Sequence, residues 1–84
     1  MYRTILSDPA RKDLKDLPRT YQELVLNKIT SLTADPRPPG IKKLHGYRQV
    51  YRIRQGPYRI IYRIDDTNQE TTVVSVRPRR EAYR

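Results

Sequence analysis

Arginine is the residue type in this sequence whose number and spacing point most directly to chemistry. The segment 51–64 reads YRIRQGPYRIIYRI and places Arg52, Arg54, Arg59 and Arg63 among tyrosines and isoleucines. A guanidinium group keeps its charge at physiological pH and presents a planar set of donors that matches a phosphate. A cluster of these groups predicts a site that binds a phosphodiester or stabilises charge that develops on phosphate oxygens.

Positive charge is distributed unevenly along the chain. Lysine and arginine number 18 against 9 acidic residues in 84 positions, so the formal net charge is +9. From Gly40 to the C-terminus there are 11 basic and 4 acidic residues, so this part carries +7 of the total. The excess predicts a polyanionic partner, with nucleic acid as the first candidate. The alternative is a basic surface that serves only solubility.

Several classes of site are excluded by residue types and motifs that the sequence lacks. Without cysteine it has neither disulfides nor a thiolate metal site. It also has no phosphate-binding glycine loop, no dinucleotide-binding glycine turn and no Ser-His-Asp set. Asp65, Asp66 and Glu70 are interpreted as solvated loop residues, so we expect neither a metal nor another cofactor.

The hydropathy pattern gives an expectation for localisation. The N-terminus lacks the apolar run that is typical of a signal peptide. No segment approaches the roughly 20 apolar residues of a membrane span. A cytoplasmic protein without membrane contact is therefore expected.

The first half of the chain predicts one strand and two helices. YRTIL (2–6) is rich in strand formers, and Ser7 followed by Pro9 is typical of a helix start. Apolar residues at helical spacing then predict a helix beginning after Ser7 and a second helix over about 18–34. The predicted apolar faces consist of Ala10, Leu14 and Leu17 in the first helix and Tyr21, Leu24, Val25, Ile29 and Leu32 in the second.

The second half predicts three strands in a meander. DPRPPG (35–40) breaks the helical pattern, and IKKLHG (41–46) leads into the first of these strands. The strands are predicted over 47–54, 58–65 and 71–77. The fold class is therefore α+β: a single domain over residues 1–84 in the order β-α-α-β-β-β, with a two-helix hairpin packed on a mostly antiparallel twisted sheet.

The arginines share one face of this sheet only under one pairing of the two central strands. Side chains alternate across a strand, so Arg54 opposite Arg59 places the tyrosines and isoleucines on one face and the arginines on the other. Arg54 opposite Tyr58 would scatter arginines over both faces. We therefore predict the first register, with a four-residue connection. Like charges directly opposite each other destabilise a hairpin, which favours a ligand site; the alternative is a solvated outer face with arginines extended into water.

The chain from Lys42 onward resembles the RelE/ParE superfamily of type II toxin–antitoxin toxins. The matching segments are KKLHG (42–46), YRIR (51–54), YRIIY (58–62) and VRPRREAYR (76–84), which recur in the family's order and at nearly its spacing. The predicted order of elements extends the similarity over almost the whole chain. Within the superfamily the chain is most similar to the RelE branch, whose members dock in the ribosomal A site and cleave mRNA. The ribose 2′-OH attacks, which leaves a cyclic phosphate.

The resemblance implies catalytic roles for a set of arginines and one tyrosine. In RelE-like enzymes the matching residues activate the 2′-OH, stabilise the dianionic transition state and protonate the leaving 5′-oxygen, while the tyrosine orients or stacks on the substrate. By position these residues are Arg52, Arg54, Arg59, Arg79 and Tyr83, with Arg77 or Arg80 as alternatives to Arg79.

One difference from the best-known members changes the expected chemistry. They have lysine where this chain has Arg52 and Arg54. Lysine can be desolvated into a base, whereas arginine does not lose its proton in practice. Arg52, Arg54 and Arg59 are therefore assigned mainly to electrostatic stabilisation, and the group that takes the proton stays open.

Further residues are candidates for contact with RNA or for proton transfer. Phosphate contacts, which give salt-dependent affinity without sequence choice, are predicted for Lys42, Lys43, Arg48, Arg77 and Arg80. His45 is an alternative proton acceptor, although a solvated or hydrogen-bonded turn residue is favoured. The tyrosines interpreted as core or edge aromatics rather than base-stacking platforms are Tyr47, Tyr51, Tyr58 and Tyr62.

The predicted function is the toxin of a type II toxin–antitoxin system. It would act as a ribosome-dependent, metal-independent endoribonuclease that cleaves mRNA in the A site and inhibits translation. Its partners would be the ribosome with its mRNA and rRNA, and a cognate antitoxin in a heteromeric complex. The alternatives are a ParE-like toxin that inhibits DNA gyrase without catalysis and a non-catalytic RNA-binding domain. The arginine cluster together with Tyr83 favours the first, because a gyrase inhibitor does not need groups that stabilise a phosphoryl transition state.

Overall fold

The fold is a five-stranded mixed sheet with two helices packed on one face. The computed structural model describes residues 1–78. The strands lie side by side in the order β1-β5-β4-β3-β2. In chain order the elements are β1 (Arg3–Leu6), α1 (Asp8–Lys15), α2 (Arg19–Ser31), β2 (Lys42–Lys43), β3 (Val50–Gln55), β4 (Tyr58–Asp65) and β5 (Glu70–Pro78). The predicted α+β class and the two-helix hairpin on the sheet are confirmed.

Both helices pack as their sequences predict, with one exception. The Ser7 hydroxyl accepts a hydrogen bond of 3.2 Å from the Ala10 N–H, and Pro9 lies in the first turn of α1, where no backbone donor is needed. Leu24 is the exception, because its side chain is 44% exposed and does not join the apolar face. Five apolar residues within or just after the two helices are buried in the core: Ala10, Leu17, Val25, Ile29 and Leu32.

The edge of the sheet beside α1 changes character along β5. β1 is parallel to β5 and covers only Glu70–Val73. Beyond that point Ser7 Oγ donates to the Val74 carbonyl oxygen at 3.0 Å, and the Asp13 carboxylate accepts the Val76 N–H at 2.9 Å. The edge of the second half of β5 is therefore held by hydrogen bonds with Ser7, which precedes α1, and with Asp13, which lies within α1. Within residues 1–78 no strand pairs with it there.

The central hairpin has the predicted register. Arg54 is opposite Arg59, and the pairing continues one step further to Gln55 and Tyr58. The connection therefore has two unpaired residues, 56 and 57, instead of the expected four. The predicted buried face is also present, because Ile53, Ile60, Tyr62 and Ile64 are each at most 4% exposed.

The segment before β3 differs from the prediction. A two-residue strand, Lys42–Lys43, was not expected, and β3 begins at Val50 instead of residue 47. Gly46 and Gln49 have φ values of +85° and +56°, which turn the chain between β2 and β3 and end the strand alternation. Tyr47 consequently lies in the turn with 64% of its surface exposed, so its assignment to the core or sheet edge is wrong.

The other three tyrosines of this region lie where they were predicted. Tyr62 is fully buried and donates a 2.7 Å hydrogen bond to the Pro36 carbonyl oxygen, and burial raises its pKa to about 12. Tyr51 packs beside it with ring centroids 6.1 Å apart. Tyr58 packs at the edge of the core against Tyr21 of α2. These rings join the helix hairpin and the connection after α2 to the sheet.

A second polar contact holds the α2–β2 connection against the β4–β5 turn. Arg37 donates to both carboxylate oxygens of Asp66, at 3.1 and 2.8 Å, and the Tyr2 hydroxyl donates to the same carboxylate at 2.5 Å. The Arg37 guanidinium, followed by the Tyr2 hydroxyl, lowers the pKa of Asp66 to about 2. The expectation that Asp66 is only a solvated loop residue is therefore wrong. We call these three side chains the Asp66 network.

Candidate phosphate-binding site

Three arginines form one row across the face of the sheet that points away from the helices. Arg54 on β3 is opposite Arg59 on β4, and Arg59 is opposite Arg77 on β5. Neighbouring strands lie about 4.8 Å apart, so the three side chains leave the sheet close to one another. We call this set the arginine row. It brings together two predicted catalytic residues and one predicted RNA contact.

Arg59 is the buried member of the row. It is 7% exposed, whereas its neighbours Arg54 and Arg77 are exposed. A cation that is shielded from water acts through a medium of lower dielectric constant, which strengthens its attraction for a nearby anion. The row therefore combines one shielded charge with two accessible ones, which suits an anion that arrives from solvent.

A second row adds two more cations to the same face. Lys42 on β2 is opposite Arg52 on β3, and Arg52 is opposite Ile61 on β4. Arg52 precedes Arg54 by two residues, which is about 6.8 Å along an antiparallel strand. Lys42, predicted as an RNA contact, and Arg52, predicted as catalytic, thus lie one step from the arginine row.

The turn that positions Arg54 and Arg59 is supported by α2. Gly56 in this turn has φ +59°, a conformation that favours glycine. A Cβ atom at this position would lie 3.4 Å from the ring of Tyr21, so the turn and the helix are in close contact. Tyr21 also packs edge-on against Tyr58, with ring centroids 5.3 Å apart. The helix hairpin therefore fixes one end of the arginine row.

Arg77, at the outer strand of the row, is positioned by α1. The Asp13 carboxylate that accepts the Val76 N–H also lies 3.9 Å from Arg77 Nε. The Asp13 side chain is 19% exposed and that of Arg77 is 55% exposed. An ion pair this long and this accessible contributes little to stability, but it directs the guanidinium toward the α1 edge of the sheet.

Three candidates in or near the β2–β3 turn do not join the row. Lys43 is opposite Tyr51 and so leaves the sheet on the helix side, at the exposed edge. Arg48 and His45 are both exposed in the turn itself. This turn is at the opposite end of β3 from Arg54, so the structure does not bring His45 to the arginine row as a proton acceptor.

The C-terminal candidates are outside the described part of the chain. Arg79, Arg80 and Tyr83 follow residue 78, so the catalytic roles of Arg79 and Tyr83 and the RNA contact of Arg80 remain predictions. Arg77, predicted as an RNA contact and as an alternative to Arg79, is the position that the structure places beside Arg59.

Sequence reasoning missed a groove next to the two rows. It has a volume of about 250 Å³ and includes the exposed ring of Tyr47. The available signal was the presence of Val50 and Ile61 among the arginines on the predicted cationic face. Two apolar residues on a face expected to be charged indicate a surface that is not simply solvated.

The described residues 1–78 form neither a membrane-spanning helix nor a cluster of metal-ligating side chains. In this part of the chain no helix is both long enough and apolar enough to cross a membrane. The same residues contain no group of three or more His, Cys, Asp or Glu side chains arranged to hold a metal ion.

Comparison with known proteins places the chain in a family. A model of the ParE toxin of the type II toxin–antitoxin system, parDE, matches residues 4–83. Toxin RelG of Mycobacterium tuberculosis is 30% identical over 84 residues, which cover 99% of this chain and 97% of that protein. A Methanocaldococcus jannaschii protein that bears the name toxin RelE1 is 41% identical over 54 residues, which cover 61% of this chain and only 60% of that protein.

A solved structure extends the similarity to the fold. In the crystal structure of the toxin–antitoxin complex RelBE2 from Mycobacterium tuberculosis, one chain matches with a TM-score of 0.81 at 28% identity. The match covers 93% of this chain and 98% of that chain. With the family match over residues 4–83, these similarities show that the chain belongs to the ParE toxin family of type II toxin–antitoxin systems, within the RelE/ParE superfamily, and that it is a RelE-like toxin.

Proposed function

We propose that this toxin is an endoribonuclease that cleaves mRNA in the ribosomal A site, with the arginine row around the scissile phosphate. The observation that carries the proposal is the row itself, in which Arg54, Arg59 and Arg77 lie on three adjacent strands. Attack on a phosphodiester concentrates negative charge on the non-bridging oxygens. Fixed cations beside those oxygens stabilise the transition state more than the ground state, which accelerates the reaction.

In the proposed reaction the 2′-oxygen forms a bond to phosphorus and the bond from phosphorus to the 5′-oxygen breaks. The products are a 2′,3′-cyclic phosphate and a free 5′-hydroxyl. The 2′-OH proton passes to a group other than Arg52, Arg54 or Arg59, because guanidinium groups stay protonated. The leaving 5′-oxygen takes up a proton from a group other than these arginines, for the same reason. Arg79 is predicted to stabilise the charge on the phosphate or leaving oxygen, and Tyr83 to orient the substrate. We expect the reaction to proceed without a metal ion.

The alternative of gyrase inhibition has to be separated from this proposal, because the family model is that of ParE whereas RelG and RelBE2 are RelE-type proteins. A protein-binding inhibitor needs a complementary surface but no concentrated positive charge. Opposed arginines weaken the isolated hairpin, and a phosphate that binds among them offsets this repulsion. The arginine row therefore favours the nuclease.

The same surface is the proposed target of neutralisation. RelBE2 is a toxin–antitoxin complex, which supports a cognate antitoxin as a partner of this chain. An acidic or amphipathic antitoxin segment would cover the arginine row or displace the C-terminal residues. The ribosome, with its rRNA and mRNA, is the other proposed partner, and the cytoplasm is the proposed location.

The test is to add purified protein to translating ribosomes and to map the ends of the mRNA. We expect cuts within the A-site codon. Arg54→Ala and Arg59→Ala should each lower the single-turnover cleavage rate by about tenfold to a hundredfold, since each removes a transition-state contact. Arg19→Ala is the matched control, because it removes an exposed arginine from α2, on the opposite side of the sheet.

Other outcomes would contradict the proposal in different ways. Intact mRNA combined with blocked supercoiling by gyrase would support the ParE-like alternative. Intact mRNA together with retained RNA binding would support the alternative of a non-catalytic RNA-binding domain. Cleavage that is undiminished in both Arg54→Ala and Arg59→Ala would show that the toxin is a nuclease whose site lies elsewhere.

A further inference from the structure

The groove beside the arginine row has an apolar floor that is unusual for the open face of a sheet. Four apolar residues line its floor, and Tyr47, Arg63 and Ser75 complete the lining; the floor residues are Leu44, Val50, Ile61 and Val74. Val50 is 5% exposed although it lies on the same face as the arginines. An open sheet face is ordinarily polar, so a cluster of this kind indicates a binding surface.

Two backbone irregularities create the groove. The Leu44 N–H donates to the Val50 carbonyl oxygen at 2.9 Å, which extends the β2–β3 hairpin by one pair and puts both side chains on the cationic face. The turn that follows, with positive φ at Gly46 and Gln49, leaves the Tyr47 ring 64% exposed at the rim. The pairing of β4 with β5 shifts register between Ile61 and Tyr62, and this irregularity leaves Val74 without a partner residue on β4.

Two arginines lie beside this apolar surface. Arg63 lines the groove, and Arg52 is directly opposite Ile61 on its floor. Ile61 follows Arg59 by two residues, so the floor begins about 6.8 Å from the arginine row along β4. A ligand that fills both places must be flat and apolar at one end and anionic at the other. A nucleotide has this combination, with a base that stacks on an aromatic ring and a phosphate that pairs with arginine.

We infer that the groove binds the base of a nucleotide next to the scissile phosphate, with Tyr47 as its stacking platform. The inference rests on the proposed function, because it places the reacting phosphate in the arginine row. The base enters over Val50 and Ile61 while Arg63 neutralises a neighbouring phosphate. Stacking is tolerant of base identity, so the groove favours purines through their larger contact area without reading a unique sequence.

The experiment measures binding separately from cleavage. Ribosomes are programmed with a short mRNA that carries a 2′-O-methyl group at the attacking ribose, so it cannot be cut. A second set of mRNAs also lacks one base, at each position of the A-site codon and its two neighbours in turn. Affinity is measured for the wild type, Tyr47→Ala and Tyr47→Phe, and thermal midpoints check that the variants are folded, as expected for a side chain 64% exposed in a turn.

We expect Tyr47→Ala to bind the complete mRNA about tenfold more weakly and Tyr47→Phe to bind nearly as well as the wild type. At one position of the mRNA, loss of the base should lower the affinity of the wild type to a similar extent. The affinity of Tyr47→Ala should not fall further when that base is absent. Equal effects of Tyr47→Ala on complete mRNA and on every abasic mRNA would overturn the inference. Unchanged mRNA binding with a weaker complex between Tyr47→Ala and the cognate antitoxin would assign the groove to a protein segment and overturn it as well.

Failure of the proposed function gives a different result. Unmethylated mRNA that stays intact with the wild type, while the abasic pattern appears as expected, would refute the nuclease and leave the base-binding groove in place. Conversely, A-site cleavage by the wild type without any abasic effect would support the nuclease and refute the groove.

Discussion

Lys42 and Lys43 are neighbours in the chain but leave the sheet on opposite faces. Lys42 is opposite Arg52 and joins the cationic face, whereas Lys43 is opposite Tyr51 and points to the helix side. Both were predicted to contact RNA, because two adjacent lysines cannot be distinguished by residue type or by position in the sequence. The register of β2 against β3 distinguishes them, because only Lys42 shares a face with the arginine row.

Lys42→Ala should therefore weaken binding to the ribosome in a salt-dependent way, and Lys43→Ala should not. Each phosphate contact releases condensed counterions, so its loss lowers the slope of log affinity against log salt by about 0.7 to 0.9. The measurement is the affinity of each variant for ribosomes that carry uncleavable mRNA, between low and physiological salt. Equal slopes for the two variants would show that the cationic face is not the one that meets RNA.

The residues of the candidate site were predictable to different degrees. Arg54 and Arg59 could be placed together because strand alternation leaves one register with a continuous apolar face. The adjacency of Arg77 to Arg59 depends on how β5 pairs with β4, which no local pattern specifies. The exposed position of Tyr47 depends on a positive φ at Gln49, a conformation that a residue other than glycine adopts rarely.

Among the elements, the β3–β4 turn couples the helices to the site. Gly56 lies between the two strands that carry Arg54 and Arg59, and a Cβ atom there would contact the Tyr21 ring. A side chain at this position is unfavourable because the φ of +59° is strained for any residue other than glycine, whereas the added Cβ atom would be in ordinary van der Waals contact with the Tyr21 ring of α2.

Gly56→Ala should lower the free energy of unfolding by about 1 kcal/mol and slow cleavage by the folded protein as well. The second effect is expected because relief of the strained φ at residue 56 would shift the turn and so move Arg54 and Arg59 relative to each other. Gly40→Ala is the matched control, since Gly40 has φ +95° but no atom within 4 Å of its added Cβ and lies in the α2–β2 connection. Urea unfolding and single-turnover cleavage measure the two effects, and equal cleavage by both variants would contradict the coupling.

The fold itself was predictable where local patterns are strong. Capping and helical spacing predicted the helix hairpin, and alternation predicted the β3–β4 pair. The parallel pairing of β1 with β5 joins Arg3 to Glu70, 67 positions apart, so nothing in the neighbourhood of either strand reports it. The two-residue strand β2 is too short to produce a recognisable period.

The Asp66 network joins parts of the chain that are distant in sequence. Tyr2 precedes β1, Arg37 lies in the connection after α2, and Asp66 is in the β4–β5 turn. All three contacts are at the opposite end of β4 from Arg59, about 20 Å away by strand length. The network therefore affects stability without direct contact with the candidate site.

The contribution of the Asp66 network to the stability of the fold should be lost in acid. The pKa of Asp66 is about 2 in the folded chain, below the usual value of about 3.9 for an unfolded chain. A depressed pKa stabilises the fold above the unfolded value, and this stabilisation disappears as the pH falls from about 5 toward 2. The Asn68 backbone and side chain also lower the pKa of Asp65, so part of the acid sensitivity has a second source.

Asp66→Asn should lower the thermal midpoint at pH 7 and reduce its dependence on pH between about 5 and 2, because the variant no longer takes up this proton on unfolding. Glu23→Gln is the control, since Glu23 is an exposed carboxylate on α2 and its loss should leave the midpoint and its pH profile nearly unchanged. The folded Asp66→Asn protein should cleave mRNA at the wild-type rate at pH 7, because the network is remote from the arginine row. If the thermal midpoint of Asp66→Asn has the same pH profile as that of the wild type, Asp66 does not stabilise the fold through its charge. If the fully folded variant loses cleavage, the two ends of β4 are coupled.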